Sequence, residues 1–441
     1  QGNVLAVIDP RGNTIQVQSF DLLGRPAFTG AADEGYDGSS GDGETLTLLD
    51  ATSQPCRTWR SGGLALRTEY DALRRPVGLF VDEGSGERQV QVTVYGDAVS
   101  EGPAHSLGRP VRQYDTAGEV RMSYDFRGRV VEQVRRVFED IETEADWEGL
   151  LDEASLEDID TWLTSNGALS AEEFTVSTEY DALDRVVEQT APNGSVTAYS
   201  YDPGGKLVGI ELDAAAVVEE ILYNARGQRL SIAYGNGTET TYTYDEDRFW
   251  LTRLLTMRST EALQDLTYTH DAVGNVLGIE DEAQEDLYFD NTQVTADQTF
   301  TYDSLYRLVQ ATGREKVGMA QTTFAPPAPG AIPDGGNPAL RTYVQSTTYD
   351  AAGNITQVHH VPSSGSNWTR NYTIHDDNNQ LLATSIPGNS SAYDDEYTYN
   401  ERGAMVFLPH LRAGVSENVV RDFRDQVRKV LLLNSGDDAW Y

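Results

Sequence analysis

The chain has 441 residues, 39% of them hydrophobic, with 23 Tyr against 12 Phe, a balance that suits half-buried strands better than a greasy core. One cysteine, Cys56, excludes an intrachain disulfide. The 70 acidic and 33 basic residues leave a formal charge of −37, a field that repels phosphate backbones and anionic lipid and argues against nucleic-acid and membrane partners.

The start, QGNVLAVIDPRGN, has neither an initiating Met nor a basic n-region, and no run of eighteen apolar residues occurs anywhere. It reads as a segment that begins inside a pattern. The pattern then recurs along the chain: SFDLLGRPAF at Asp21, EYDALRRPVGL at Asp71, QYDTAGEVRM at Asp115, SYDFRGRVVE at Asp125, EYDALDRVVE at Asp181 and SYDPGGKLVG at Asp202. LYNARGQRLS at Asn224, TYDEDRFWLT at Asp245, THDAVGNVLG at Asp271, TYDSLYRLVQ at Asp303, TYDAAGNITQ at Asp350, IHDDNNQLLA at Asp376 and TYNERGAMVF at Asn400 continue it. From Asp181 to Asp245 the copies lie 21 or 22 residues apart, the length of two strands and two turns. Length alone suggests about three ordinary domains of ~150 residues, but such an array makes one continuous body.

Each copy encodes a strand, a turn and a strand. Apolar, Thr or Tyr residues recur at every second position before the aspartate, as at Tyr199 and Tyr201 or Tyr242 and Tyr244, which is the period of a strand. The Asp or Asn is suited to bond the backbone two residues on, and a glycine three residues later (Gly118, Gly128, Gly205, Gly227, Gly274, Gly353, Gly403) accepts positive φ. Consecutive hairpins then pair edge to edge, and the expectation is that tyrosine rings of successive copies stack as rungs, with each hydroxyl reaching solvent or the next turn.

Two stretches interrupt the period. Residues 138–174 place Trp147, Leu151 and Ala154, then Leu156, Ile159 and Leu163, at helical spacing, with capping signals at Ser155/Asp158 and Ser170/Glu173. This predicts an acidic helical insertion that covers an edge, plugs an opening or, as the favoured reading, merely decorates a loop. Residues 321–341, QTTFAPPAPGAIPDGGNPALR, are too rich in Pro and Gly for a ladder and predict a long exposed loop. The expected organisation is a repeat segment over 1–137, the insertion over 138–174, repeats over 175–320, the loop over 321–341 and repeats again over 342–441.

Chemistry-bearing constellations are lacking. His359 and His360 are adjacent, so on a strand they face opposite sides and make a poor chelating pair; His270 and His375 fill the tyrosine slot of their copies. Cys56 has no neighbouring base. Acid pairs abound, but 70 acids make proximity a coincidence and no raised carboxyl pKa can be inferred. The serine-hydrolase, P-loop and zincin signatures are missing. Asn-x-Ser/Thr at Asn193, Asn236, Asn354, Asn367, Asn371 and Asn389 is the chance yield of a composition rich in these residues. The reading is an all-β protein that is not an enzyme, with no catalytic, cofactor or metal residue assigned.

The copies resemble the RHS, or YD-repeat, family over nearly the whole chain. YDSLYRLVQATGRE, residues 302–315, and the passages around Asp115 and Asp271 look like the C component of bacterial insecticidal toxin complexes and its fused relatives. The resemblance implies a β-ribbon spiralling into a hollow, cocoon-like shell, secreted with a toxin complex. It further implies that the shell encloses a C-terminal toxic polypeptide and is completed by remaining shell or B-component segments. The family's self-cleaving core carries an Asp-Pro-x-Gly hallmark; IDPRGN at Asp9 and YDPGGK at Asp202 share its letters but sit in ordinary repeat turns, so no protease residue is transferred. The chain is expected to be a shell segment truncated before that core. The alternatives are an extracellular adhesion or carbohydrate-binding protein, with Tyr242 and Tyr244 stacking on sugars, and a hydrolase embedded in the scaffold.

Overall fold

In the computed structural model, residues 3–37, 42–97, 103–150, 155–166, 169–317, 339–385, 391, 393, 395–432 and 439–440 are described. Twenty-eight strands form one antiparallel sheet, and every strand pairs with its neighbours in sequence, from Ala6–Ile8 through to Asp395–Glu396. Outside it, among the described residues, stand the hairpin Leu287–Phe289 with Thr292–Val294, the pair Thr398–Tyr399 with Met405–Phe407, and a three-stranded sheet of Val419–Arg421, Val427–Val430 and Ala439–Trp440; Val276–Asp281 pairs directly with Gln298–Tyr302 across the first of these. The up-and-down order follows from the turn chemistry, because a turn of a few residues can join only antiparallel neighbours.

Alternation gives the ribbon two unlike edges. The repeat turns at Asp21, Asp71, Asp125, Asp181, Asp202, Asn224, Asp245, Asp271, Asp303, Asp350 and Asn400 all fall on one of them, the Asp edge. The connections 138–173 and 282–297 leave from the other, the loop edge, as does the link from Lys316 to Leu340, of which 318–338 lie outside the described residues. Most of the Pro/Gly-rich stretch 321–341 therefore falls outside them too.

Every Asp-edge hairpin carries the same irregularity. Tyr180 faces Val186 while Glu179 faces Glu188, so Val187 is an extra residue on the returning strand; the same shift recurs at Tyr70, Tyr124, Tyr201, Tyr223 and Tyr302. A bulge bends and twists its strand. Repeated at one edge of each hairpin, it curls the ribbon steadily in one direction.

The alignment of copies needs three corrections. Asp115 turns on the loop edge in a two-residue hairpin, with Asp115 paired to Gly118; its Tyr114 is buried under the insertion. At 375–380 the histidine, not Asp376, takes the aspartate's place: the His375 N–H donates to the Gln380 carbonyl and Nδ1 accepts from the Asp377 N–H at 3.1 Å. Ile374 thus holds the tyrosine slot. Copies at Asp50 and Asp422, which lack both Tyr and Gly, form the same turn with Ser53 and Asp425 at positive φ.

The helix is shorter than predicted, Leu156–Asn166. Its Ser155 cap is present, with the Asp158 N–H donating to Ser155 Oγ at 3.1 Å, whereas Ser170/Glu173 caps nothing and leads into the strand Phe174–Tyr180. Trp147 lies in a turn outside the helix, and residues 151–154 are not among those described. The insertion is more than a decoration. Trp147, Leu150, Ile159 and Leu163 pack against Val92, Val94, Val111, Tyr114 and Phe138 to make the principal buried cluster. Elsewhere the wall is a single sheet whose side chains are mostly half-buried.

Candidate functional site: the repeat network and the seam of the coil

In the copies with a basic residue over the next tyrosine, four residues form one connected unit. In the Asp181 copy, Oδ1 accepts the N–H groups of Leu183 and Arg185, and Oδ2 accepts Arg185 Nε–H at 2.6 Å. The Arg185 guanidinium then lies 4.4 Å from the ring centre of Tyr201, the tyrosine of the following copy. The Tyr201 hydroxyl donates back to the Val186 carbonyl at 2.7 Å. The same closure joins Tyr70 to Pro55, Tyr95 to Pro76, Tyr124 to Pro110, Tyr180 to Val130, Tyr223 to Leu207, Tyr244 to Arg229, Tyr302 to Val276, Tyr349 to Leu308 and Tyr399 to Leu381.

This corrects the expected ring-on-ring ladder. Tyrosines of successive copies stand two strands apart, about 9.6 Å at ordinary strand spacing, beyond the ~7 Å limit of ring contact. A cation fills the gap: Arg75 over Tyr95, Arg129 over Tyr180, Lys206 over Tyr223, Arg307 over Tyr349. The signal was visible in sequence as a basic residue four places after the aspartate in FDLLGR, YDALRR, YDFRGR, YDALDR, YDPGGK and YDSLYR. Against partial desolvation, the Arg129 backbone N–H and guanidinium hold Asp125 well below the usual carboxylate range, at about 2.

The decisive feature is the meeting of distant parts of the ribbon. Arg11, in the first loop-edge turn, donates to the carbonyls of His375 at 3.3 Å and Asn378 at 3.0 Å, and Asn13 donates to that of Asp376 at 2.7 Å. The Asn379 N–H donates to Asp33, and the Gly43 N–H to the Glu401 carbonyl. Farther along, Asp425 pairs with Arg60 at 3.2 Å, Arg428 bonds Glu144 and the Glu142 carbonyl, and Phe423 is buried among Leu64, Val81 and Val90. All these contacts join the Asp edge of late repeats to the loop edge of early ones. The ribbon has completed a coil and begun a second, stacked on the first.

Twenty-five consecutive sheet strands, Thr14–Phe20 through Trp368–Ile374, separate the Arg11 turn from the His375 turn. At about 4.8 Å per strand the circuit is roughly 120 Å, or about 38 Å across if circular. The shell is hollow, with a wall one sheet thick. A cleft of about 600 Å³ opens on the seam between Phe138, Ile141, Ala145, Phe423 and Val427; its arginines are already engaged, Arg88 by Glu83 and Arg428 by Glu144.

The residues singled out in the sequence are scattered. His359 bonds Thr369 Oγ1 while His360 bonds Glu315 between the rings of Tyr343 and Trp368, on opposite faces as expected. His270 does fill a tyrosine slot, beside Trp250. Asp9 turns the seam loop, its Oδ1 accepting the N–H groups of Arg11 and Asn13. Asp202 sits in a regular repeat turn. Among the described residues, no three His, Cys, Asp or Glu side chains are grouped to hold a metal, and no helix is long and apolar enough to cross a membrane. Tyr242 and Tyr244 are half-buried, Tyr244 with its hydroxyl bonded to the Arg229 carbonyl.

A family model described as RHS Repeat matches residues 180–217. The chain is 29% identical along its whole length to Toxin subunit YenC2 of Yersinia entomophaga, of which it spans 46%. It also superposes over its full length on the Photorhabdus luminescens Tc holotoxin pore, with a TM-score of 0.81 and 26% identity, covering 20% of that chain. For a crystal structure of TcdB2-TccC3 the TM-score is 0.80 at 25% identity, over 99% of this chain and 22% of that one. The chain thus spans less than half of the curated relative and about a fifth of the solved chains.

Proposed function

We propose that the chain, whose repeats resemble the C component of bacterial insecticidal toxin complexes, is a non-enzymatic wall that encloses a polypeptide joined C-terminally to it. The wall holds that polypeptide for delivery outside the producing cell, and remaining shell and B-component segments complete the enclosure. The observation that supports this reading is the seam, since bonds between turns 25 strands apart join the early and late parts of the ribbon into a coil. Side chains lining the wall take about 5 Å on each side, which leaves a lumen of roughly 28 Å. A compact 100-residue domain has a radius of gyration of about 13 Å and is wider than that. The guest in this coil is therefore an extended or partly folded chain.

The test is protection. A protease-sensitive polypeptide joined behind residue 441, in the full-length protein assembled with its partner component, is expected to survive trypsin at a dose that destroys it when free. Digestion at the free rate would overturn the reading. The adhesion alternative is less supported, because the tyrosines proposed to stack on sugars are engaged in the wall.

A further inference from the structure

The Asp-edge turns are closed by oxygens. A side-chain oxygen of Asp21, Asp125, Asp181, Asn224, Asp303 or Asp422 accepts the N–H two residues on. A carboxamide does not titrate, and a carboxylate stays an acceptor above about pH 4. Among the described residues the turn after the strand Trp368–Ile374 is the exception. Its acceptor is a nitrogen, His375 Nδ1, which takes the Asp377 N–H at 3.1 Å. An imidazole nitrogen accepts only while it is unprotonated, and in the imidazolium both nitrogens donate. The imidazole is also the side chain whose ordinary change of charge falls between about pH 5 and 8.

This exception stands where the coil closes. The carbonyls of His375, Asp376 and Asn378 are the acceptors that Arg11 and Asn13 hold across the seam, so the turn shaped by His375 is one half of the closure. The charged groups on the surrounding elements are engaged. Arg11 is paired with Asp9 at 2.8 Å and lies 3.8 Å from Asp350; Asp33 accepts from Asn379. Glu34, on the same short helix as Asp33, interacts with Arg60 and Asp425, and Arg370 on the preceding strand lies 3.9 Å from Asp395. Asp376 and Asp377, exposed on the turn itself, are the carboxylates to which an Nδ1–H can turn.

We propose that His375 is a proton-operated latch of the seam. Neutral, it holds the turn in the shape that presents three carbonyls to Arg11 and Asn13. Uptake of a proton sets two donors, Nδ1–H and the Asp377 N–H, against each other and adds a second cation beside Arg11, which donates to the His375 carbonyl at 3.3 Å. The turn then reorganises toward its own carboxylates, the carbonyls leave their donors, and the coil parts here while the oxygen-closed hairpins on either side keep their shape. Closure holds the neutral ring, so it is complete above the histidine range and is lost as the pH falls through it. The proposal goes beyond the shell reading, because it concerns how closure responds to acid and needs no guest.

The test is hydrogen–deuterium exchange of the full-length protein at about pH 7.5 and about pH 5.5, corrected for the intrinsic pH dependence of exchange. Peptides over 9–13 and 375–380 are compared with the oxygen-closed turn 181–185. On acidification the two seam peptides are expected to lose about tenfold in protection, the worth of one hydrogen bond, while 181–185 keeps its own. His375→Asp restores the acceptor of the other copies, and His375→Asn matches Asn224 and Asn400; both are expected to keep the seam protected at either pH. Unchanged protection of the wild-type seam on acidification would overturn the proposal, as would the same loss in both variants. Neither result touches the shell reading, which is decided by protease protection of a guest at neutral pH.

Discussion

Tyr306 sits at φ 62°, in the left-handed position that glycine holds in the Gly128, Gly205 and Gly227 turns. That conformation costs a side chain about 1–2 kcal/mol, and glycine gives back roughly 0.5–1 kcal/mol in unfolded-state entropy. Tyr306→Gly is therefore expected to stabilise the chain by about 0.5–1 kcal/mol, read as a higher midpoint in urea; a lower midpoint would mean that the exposed ring makes a contact of its own. The neighbouring aspartates respond to acid. Asp125 is depressed to about 2 from an unfolded value of about 3.9. Its contribution is complete above about pH 4 and is lost as the pH falls through about 2. Asp125→Asn keeps the Oδ1 acceptor, as Asn224 and Asn400 do naturally, but loses the ion pair with Arg129. The variant's melting temperature is expected to fall less than wild type between pH 4 and pH 2; parallel curves would refute the assignment.

At the scale of elements, the insertion is held by a buried polar hub beside its hydrophobic cluster. Glu119, 1% exposed, accepts from the Tyr114 hydroxyl at 2.9 Å and lies 3.3 Å from Arg112 and 3.7 Å from Arg136. Arg112 reaches on to Asp160 of the helix, Arg136 to the Ser170 carbonyl, and Arg121 to Glu173. Removing the central charge leaves the buried Arg112 guanidinium with the exposed Asp160 carboxylate alone, a loss of up to about 3 kcal/mol. Glu119→Gln is expected to speed amide exchange across 156–166 and to leave the repeats over 207–244 unchanged; uniform acceleration across both would mean that the hub supports the whole wall. The hub had no signal in the sequence. Arg112, Glu119 and Asp160 are ordinary charged residues in a chain full of them, and only the fold of the insertion buries Arg112 and Glu119 and brings Asp160 to them. The helix itself was legible over Leu156–Asn166, because its apolar period and the Ser155 cap are local properties.

For the whole molecule, stability and closure are separate quantities. A meander of neighbouring strands is built from local contacts and forms without the ends meeting, whereas the coil closes only if the seam bonds hold. Phe423 is the one large apolar side chain seated across the described seam pocket, and Phe423→Ala is expected to cost about 3 kcal/mol, confined to the last repeats. Small-angle scattering should then report a larger radius of gyration while circular dichroism retains the strand signal. An unchanged radius would show that the polar bonds of Arg11, Asn13 and Asn379 are sufficient to close the coil.

The sequence by itself determined the repeat, the strand-turn-strand unit, the antiparallel order and, through the resemblance, the hollow ribbon. Each of these rests on interactions within a few residues or between adjacent hairpins: Asp125 with Arg127 and Arg129, Tyr201 with Val186. Tertiary structure alone decided that the insertion forms the main core, because its helix folds back over strands well before it in the chain, and that Arg11 meets His375. The second outcome depends on the accumulated curl of many bulged hairpins, and a small bend per strand, summed over 25 strands, sets which residues hundreds of positions apart come within bonding distance.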